Sequence, residues 1–188
     1  MTDLVGLEYA ALRETIRSRS NARPVMALAG ISVWAAVLVC ILIWLPNPIA
    51  ATVPLLVLLT TFEVIRSMHL GVERIGRYLQ AFFEESDEGE ASRLAPPAWE
   101  RSAMLFGPAL PGAGVHPLFL PIFLLATLLN FLAVIFPAPI QLELIVLALP
   151  HAAFIVWLLY CDRGMRKQRG VELARYRELL LSKHDRKQ

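Results

Sequence analysis

Hydrophobic and polar positions fall in long blocks along this chain. From Pro24 to Phe62 no charged residue occurs across 39 positions, and a second uncharged run of 41 covers Ser102 to Leu142. A helix needs about 20 apolar residues to cross a bilayer core, so each run has room for two crossings, or for one and a loop. Proline divides the blocks. Pro46-Asn47-Pro48 and Pro137-Ala138-Pro139 predict tight turns, because proline fixes the backbone and supplies no donor. The pattern therefore predicts crossings near 25–45, 49–68, 117–136 and 140–160. The expected fold is all-α, a four-helix transmembrane bundle with cytoplasmic amphipathic helical extensions.

The second crossing does not end at the membrane. Ile65, Met68, Val72, Ile75, Leu79 and Phe82 recur at alternating spacings of three and four. That spacing is the narrow stripe of a helix that packs along another helix. Val5, Tyr9, Leu12 and Ile16 follow a similar rhythm before the first crossing, and Leu173, Tyr176 and Leu180 follow it after the fourth. The expected organisation is an N-terminal cytoplasmic helix over 1–24, a transmembrane hairpin over 25–68 and a helix over 69–86 that continues from it. An acidic linker and interfacial helix over 87–116, a second hairpin over 117–160 and a basic cytoplasmic helix over 161–188 complete it. Residues 84–96 are acidic, small and without period, as in a solvated linker. The interfacial helix is read from Pro97, Trp99 and Phe106, ended by Gly107.

Charge placement adds orientation. Of the 18 Lys and Arg, four precede the first crossing, five lie between the second and third, and nine follow the fourth. Neither outer turn carries one, so the positive-inside rule puts both termini and the central loop in the cytoplasm of a bacterial inner membrane. The 56% hydrophobic content and positive mean hydropathy agree. The first 23 residues are polar, which argues against a cleaved signal peptide. A coarse repeat also shows: Gly71-Val72-Glu73 before Arg77-Tyr78, against Gly170-Val171-Glu172 before Arg175-Tyr176. Parallel duplication and chance similarity both explain it.

Few residues have the chemistry for a site. Glu63 lies in the second crossing, where an ionisable group is a functional candidate by default; pairing with Arg66 one turn on is the structural alternative. His151, about 16 Å from the outer end of its helix, shares its expected depth with Thr60, Thr61 and, within a turn, Asn130. These four, with Glu63, form a candidate ion path, or a belt of interhelical hydrogen bonds. Glu143 suits a helix N-terminus. The basic run Arg163, Arg166, Lys167 and Arg169 is expected to hold anionic lipid, not nucleic acid. Ser32, Ala36 and Cys40 make a ridge open to close helix approach.

Several chemistries find no support. Cys40 and Cys161 fall near opposite ends of the bundle, too far apart for a disulfide. Haem would need facing histidines at one depth, and only His69 and His116, at the membrane edge, come near that. No phosphate-binding, zinc-protease or nucleophile-elbow motif occurs, so neither a metal nor a cofactor is expected. A lipid-directed enzyme would have only His69, Glu73 and His116 to work with. The expected partners are an anionic bilayer and a second copy or another membrane protein.

The amphipathic start, tight hairpin and emergent helix from Arg74 to Leu79 (RIGRYL), followed by Trp99-Glu100, resemble small uncharacterised bacterial membrane proteins. The layout of residues 5–101 is also similar to the SLATT group of two-crossing modules. That resemblance implies a pore-forming effector that permeabilises membranes, although this chain is expected to cross four times rather than twice.

Overall fold

The computed structural model describes residues 2–45, 47–84, 116–135 and 142–185. Among them every regular element is helical. Helix α1 runs Thr2–Trp44, a 3-10 turn follows at Pro48–Ala51, and α2 runs Thr52–Leu79 into a π-helical turn, Gln80–Glu84. Helix α3 spans Leu120–Ile135 and α4 spans Leu142–Asp185. The acidic linker, the Trp99 helix and the Pro137-Ala138-Pro139 turn lie outside the described residues.

Arg23-Pro24 marks the entry to the expected first crossing, and α1 passes through it without a break, so the N-terminal amphipathic segment and the apolar segment are one helix. Proline's fixed φ is compatible with a helix, and its cost is one lost N–H bond and a clash with the carbonyl four residues back. A helix of 43 residues tolerates that defect locally. Likewise α4 carries Pro150 inside it and joins the fourth apolar segment to the basic segment as one helix of 44 residues. Pro54, in the first turn of α2, occupies a position where its missing donor has no partner to lose.

The chain forms two compact units. Unit 1 comprises Met1–Ser20, Leu70–Val115 and Met165–Gln188; unit 2 comprises Asn21–His69 and His116–Gly164. In unit 2 each helix buries one stripe: Ala27, Trp34, Leu38 and Ile41 on α1; Leu55, Leu58, Phe62 and Ile65 on α2; Leu120, Phe123, Thr127 and Asn130 on α3; Leu147, His151, Phe154, Leu158 and Cys161 on α4. Spacings of three and four, or seven between Ala27 and Trp34, are those of helices packed at shallow angles. Phe62 is the common point, meeting the Phe123 ring edge-on at 5.5 Å and that of Phe154 at 6.2 Å. The opposite faces stay apolar and exposed, as at Leu28, Val39, Ile122, Leu125, Val146 and Leu149. Unit 2 is thus apolar outside as well as inside.

Three helices are long and apolar enough to cross a membrane: those containing Gly6–Trp44, Ile49–Phe83 and Ile145–Met165. Helix α3 has 16 described residues, about 24 Å at 1.5 Å per residue, against a core of about 30 Å.

Unit 1 is held by charge and aromatic contacts. Arg77, 5% exposed, donates to Glu73 at 3.0 Å and to Glu172 from two nitrogens at 2.9 and 2.5 Å. Gln168 donates to the other oxygen of Glu172 at 2.5 Å, and Arg74 reaches that oxygen at 3.5 Å. The Tyr78 hydroxyl donates to Glu8 at 2.9 Å, while its ring meets that of Tyr176 at 6.0 Å. Tyr9 packs on Phe83 at 5.5 Å. The Arg19 guanidinium lies over Gly71, where a side chain would collide with it. Of the expected seam, Ile65 and Leu79 are fully buried, and Met68, Val72, Ile75 and Phe82 are half-buried.

Candidate functional site

Asn130 is fully buried on α3 and uses both halves of its amide. Its Oδ1 accepts from the Trp34 indole N–H at 3.1 Å. Its Nδ2 donates to the Ala51 carbonyl at 3.0 Å and to His151 Nε2 at 2.9 Å. His151 Nδ1 in turn lies 2.9 Å from the Leu147 carbonyl. These contacts set the tautomer: Nδ1 carries the proton and donates, leaving Nε2 to accept. The proton sits there for a local reason. Pro150 interrupts the helix ladder beside this turn, and the imidazole donates to a carbonyl of the disturbed region. The result is a hydrogen-bonded node tying α1, α3 and α4 to the 3-10 turn that leads into α2.

Thr60 and Thr61 do not join it. Their hydroxyls donate to Leu56 and Val57 on their own helix at 2.9 and 2.7 Å. The assumption that all crossings begin at one level is what misplaced them. Asn130 engages Ala51, nine residues before Thr60, so the polar side chain on α3 meets the start of α2 and not its middle. Thr61 packs instead on Gly30 of α1, whose missing side chain is what admits it.

Glu63 belongs to a second cluster. Its Oε2 accepts from Arg66 Nε at 2.9 Å and Nη2 at 2.6 Å, and its Oε1 accepts from the Trp157 indole at 2.6 Å. Arg66 also lies over the Trp157 ring, 5.6 Å from its centre, and Trp157 stacks on Tyr160 at 5.8 Å. Trp157 sits six residues beyond His151, about 9 Å along α4. Two more pairs occupy the same end of unit 2. Arg23 donates to His69 Nδ1 at 2.7 Å, and His116 Nε2 lies 3.1 Å from Asp162. His69 and His116 are thus occupied by a guanidinium and a carboxylate. Leu118 N–H donates to His116 Nδ1 at 3.3 Å, within a turn that places Phe119 at φ 51 before α3 begins.

Sequence reasoning found Asn130, His151, Glu63 and Arg66 and missed Trp34 and Trp157. The missed signal was general: an indole N–H in an apolar segment needs an acceptor, and few were available. The described residues of the basic run, Arg163 and Lys167, are exposed. Cys40 is exposed and Cys161 buried, and both are free thiols. Among the described residues no cluster of His, Cys, Asp or Glu has metal-binding geometry.

Three helices of crossing length and apolar composition are the mark of a helical membrane protein. Comparison with known proteins returns no match: no family model, curated protein or solved structure is significantly similar to this chain.

Proposed function

We propose that this chain is a non-enzymatic integral protein of a bacterial inner membrane, with both termini in the cytoplasm, that oligomerises or docks a membrane-protein partner. In this reading unit 2 is the membrane portion, α3 is its third crossing, α4 supplies the fourth, and unit 1 is a cytoplasmic platform. The single observation that carries it is the closure of the polar groups on one another. Asn130, His151 and Trp34 satisfy each other and two backbone carbonyls, while Glu63 is held by Arg66 and Trp157. Interhelical bonds of this kind average about 0.6 kcal/mol each and give the bundle a defined register.

A conducting path through Glu63 and His151 is the second reading, favoured by the adjacency of His151 and Asn130. Conduction requires groups that exchange partners, and here each donor already has a fixed acceptor. Pore formation by an effector rests on the SLATT-like layout alone. Proton and potassium flux in liposomes separates the readings. Structural glue predicts background flux for the wild type, with Glu63→Gln and His151→Phe lowering melting temperature instead. Flux well above empty liposomes that is lost in either variant overturns the proposal.

A further inference from the structure

One face of α4 changes character within a single turn. Leu149 (67% exposed), Val156 (65%) and Tyr160 (66%) lie along it, and Arg163 comes next on the same line and is also exposed. Apolar side chains, then an aromatic with a polar tip, then a cation is the order in which a bilayer turns from hydrocarbon to headgroup. The aromatic step is anchored. Trp157 stacks on Tyr160, and its indole is held by Glu63 on one side and by Arg66 against the ring. The charges near it are unequally available. Glu63 neutralises Arg66. Asp162 is turned to His116. Arg163 makes no ion pair among the described residues.

We infer that Trp157, Tyr160 and Arg163 form a binding site for one anionic phospholipid, in which Arg163 takes the phosphate, the stacked rings carry the glycerol region, and the Val156–Leu149 face carries an acyl chain. Its assignment to the cytoplasmic leaflet rests on the orientation proposed above. Glu63 acts as a screen: by occupying Arg66 it withholds that cation from the site. A basic residue beside an anionic surface changes binding by about fivefold.

The screen makes the inference sharply testable, because two charge-removing substitutions must act in opposite directions. Detergent-solubilised full chain is titrated with dioleoyl phosphatidylglycerol and, separately, dioleoyl phosphatidylcholine, and retained lipid is counted by native mass spectrometry. The wild type is expected to retain phosphatidylglycerol in preference. Arg163→Gln should cut that preference about fivefold, and Glu63→Gln should raise it about fivefold by uncovering Arg66. Arg163→Glu, which leaves the folded contacts untouched, should reverse the preference and stands in should Glu63→Gln not fold. Equal retention of the two lipids, or an unchanged preference in both Arg163 variants, overturns the site. Displacement by soluble glycerol phosphate at equal concentration overturns the lipid assignment in favour of a free phosphate ligand. This readout does not depend on which leaflet the site faces, so its failure is distinct from a failure of the proposed orientation.

Discussion

At the scale of single residues, Arg77 is the least replaceable charge. It is buried between Glu73 and Glu172 and is the cation that both carboxylates share. Burial alone would push the Glu172 carboxyl up, but hydrogen bonds from Gln168 and Arg77, with the charges of Arg77 and Arg74, hold it below the ordinary carboxylate range. A carboxylate lowered in this way adds stability that is in place above its unfolded pKa and fades as pH falls through the folded one. Amide protection in residues 70–84 and 170–180, taken against the free-peptide exchange rate at the same pH, should therefore fall as the solution is acidified through the carboxylate range. Glu172→Gln should flatten that acid response while lowering protection at neutral pH. Arg77→Ala should cost about 1–3 kcal/mol, because it removes charge-assisted bonds from Glu73 and leaves Glu172 with Gln168 and Arg74 alone, and Arg77→Lys should recover little, since a point charge cannot bridge the two carboxylates as a planar fork does. Denaturation of the same variants in detergent measures both.

Elements meet closely at one place that the sequence pattern does not mark. Gly30 on α1 faces the Thr61 side chain on α2, and any Cβ there would overlap it. Gly30→Leu should destabilise the hairpin by about 1–3 kcal/mol, the usual cost of overpacking. Thr61→Ala alone should cost less, and the double substitution Gly30→Ala with Thr61→Ala should restore much of what Gly30→Ala loses. A thermal melt of the four proteins gives the coupling. Two additive costs would show that the contact is slack. The same element pair opens outward as an apolar groove of about 490 Å³ between Met26, Ala29, Val33, Leu56, Thr60 and Val64, where hydrocarbon is the natural filling. Continuity of α1 through Pro24 was likewise hidden, because proline reads as a boundary unless packing on both sides holds the helix.

For the whole molecule, threading is the property on which the functional reading stands. Impermeant maleimide should label Leu45→Cys from outside intact cells, in a chain with Cys40 and Cys161 replaced by serine. Leu181→Cys should react only after permeabilisation. Both side chains are exposed, so access is set by the membrane and not by burial. Labelling of Leu181→Cys in intact cells would reverse the assignment of α4 and make α3 something other than a crossing.

The sequence by itself determined the composition of this protein's helices. Uncharged runs long enough to cross a bilayer, cations gathered at their ends and a three-and-four stripe running from Ile65 to Phe82 are local facts, and local facts settle which face of a helix must be buried. Only the tertiary structure decided which polar groups share a site. Whether Asn130 meets Ala51 or Thr60 depends on how far one helix slides along another, and that is set by the interlocking of Phe62, Phe123 and Phe154. A shift of a turn or two leaves each helix's own pattern unchanged but gives every buried donor a different acceptor, so the register had to come from packing.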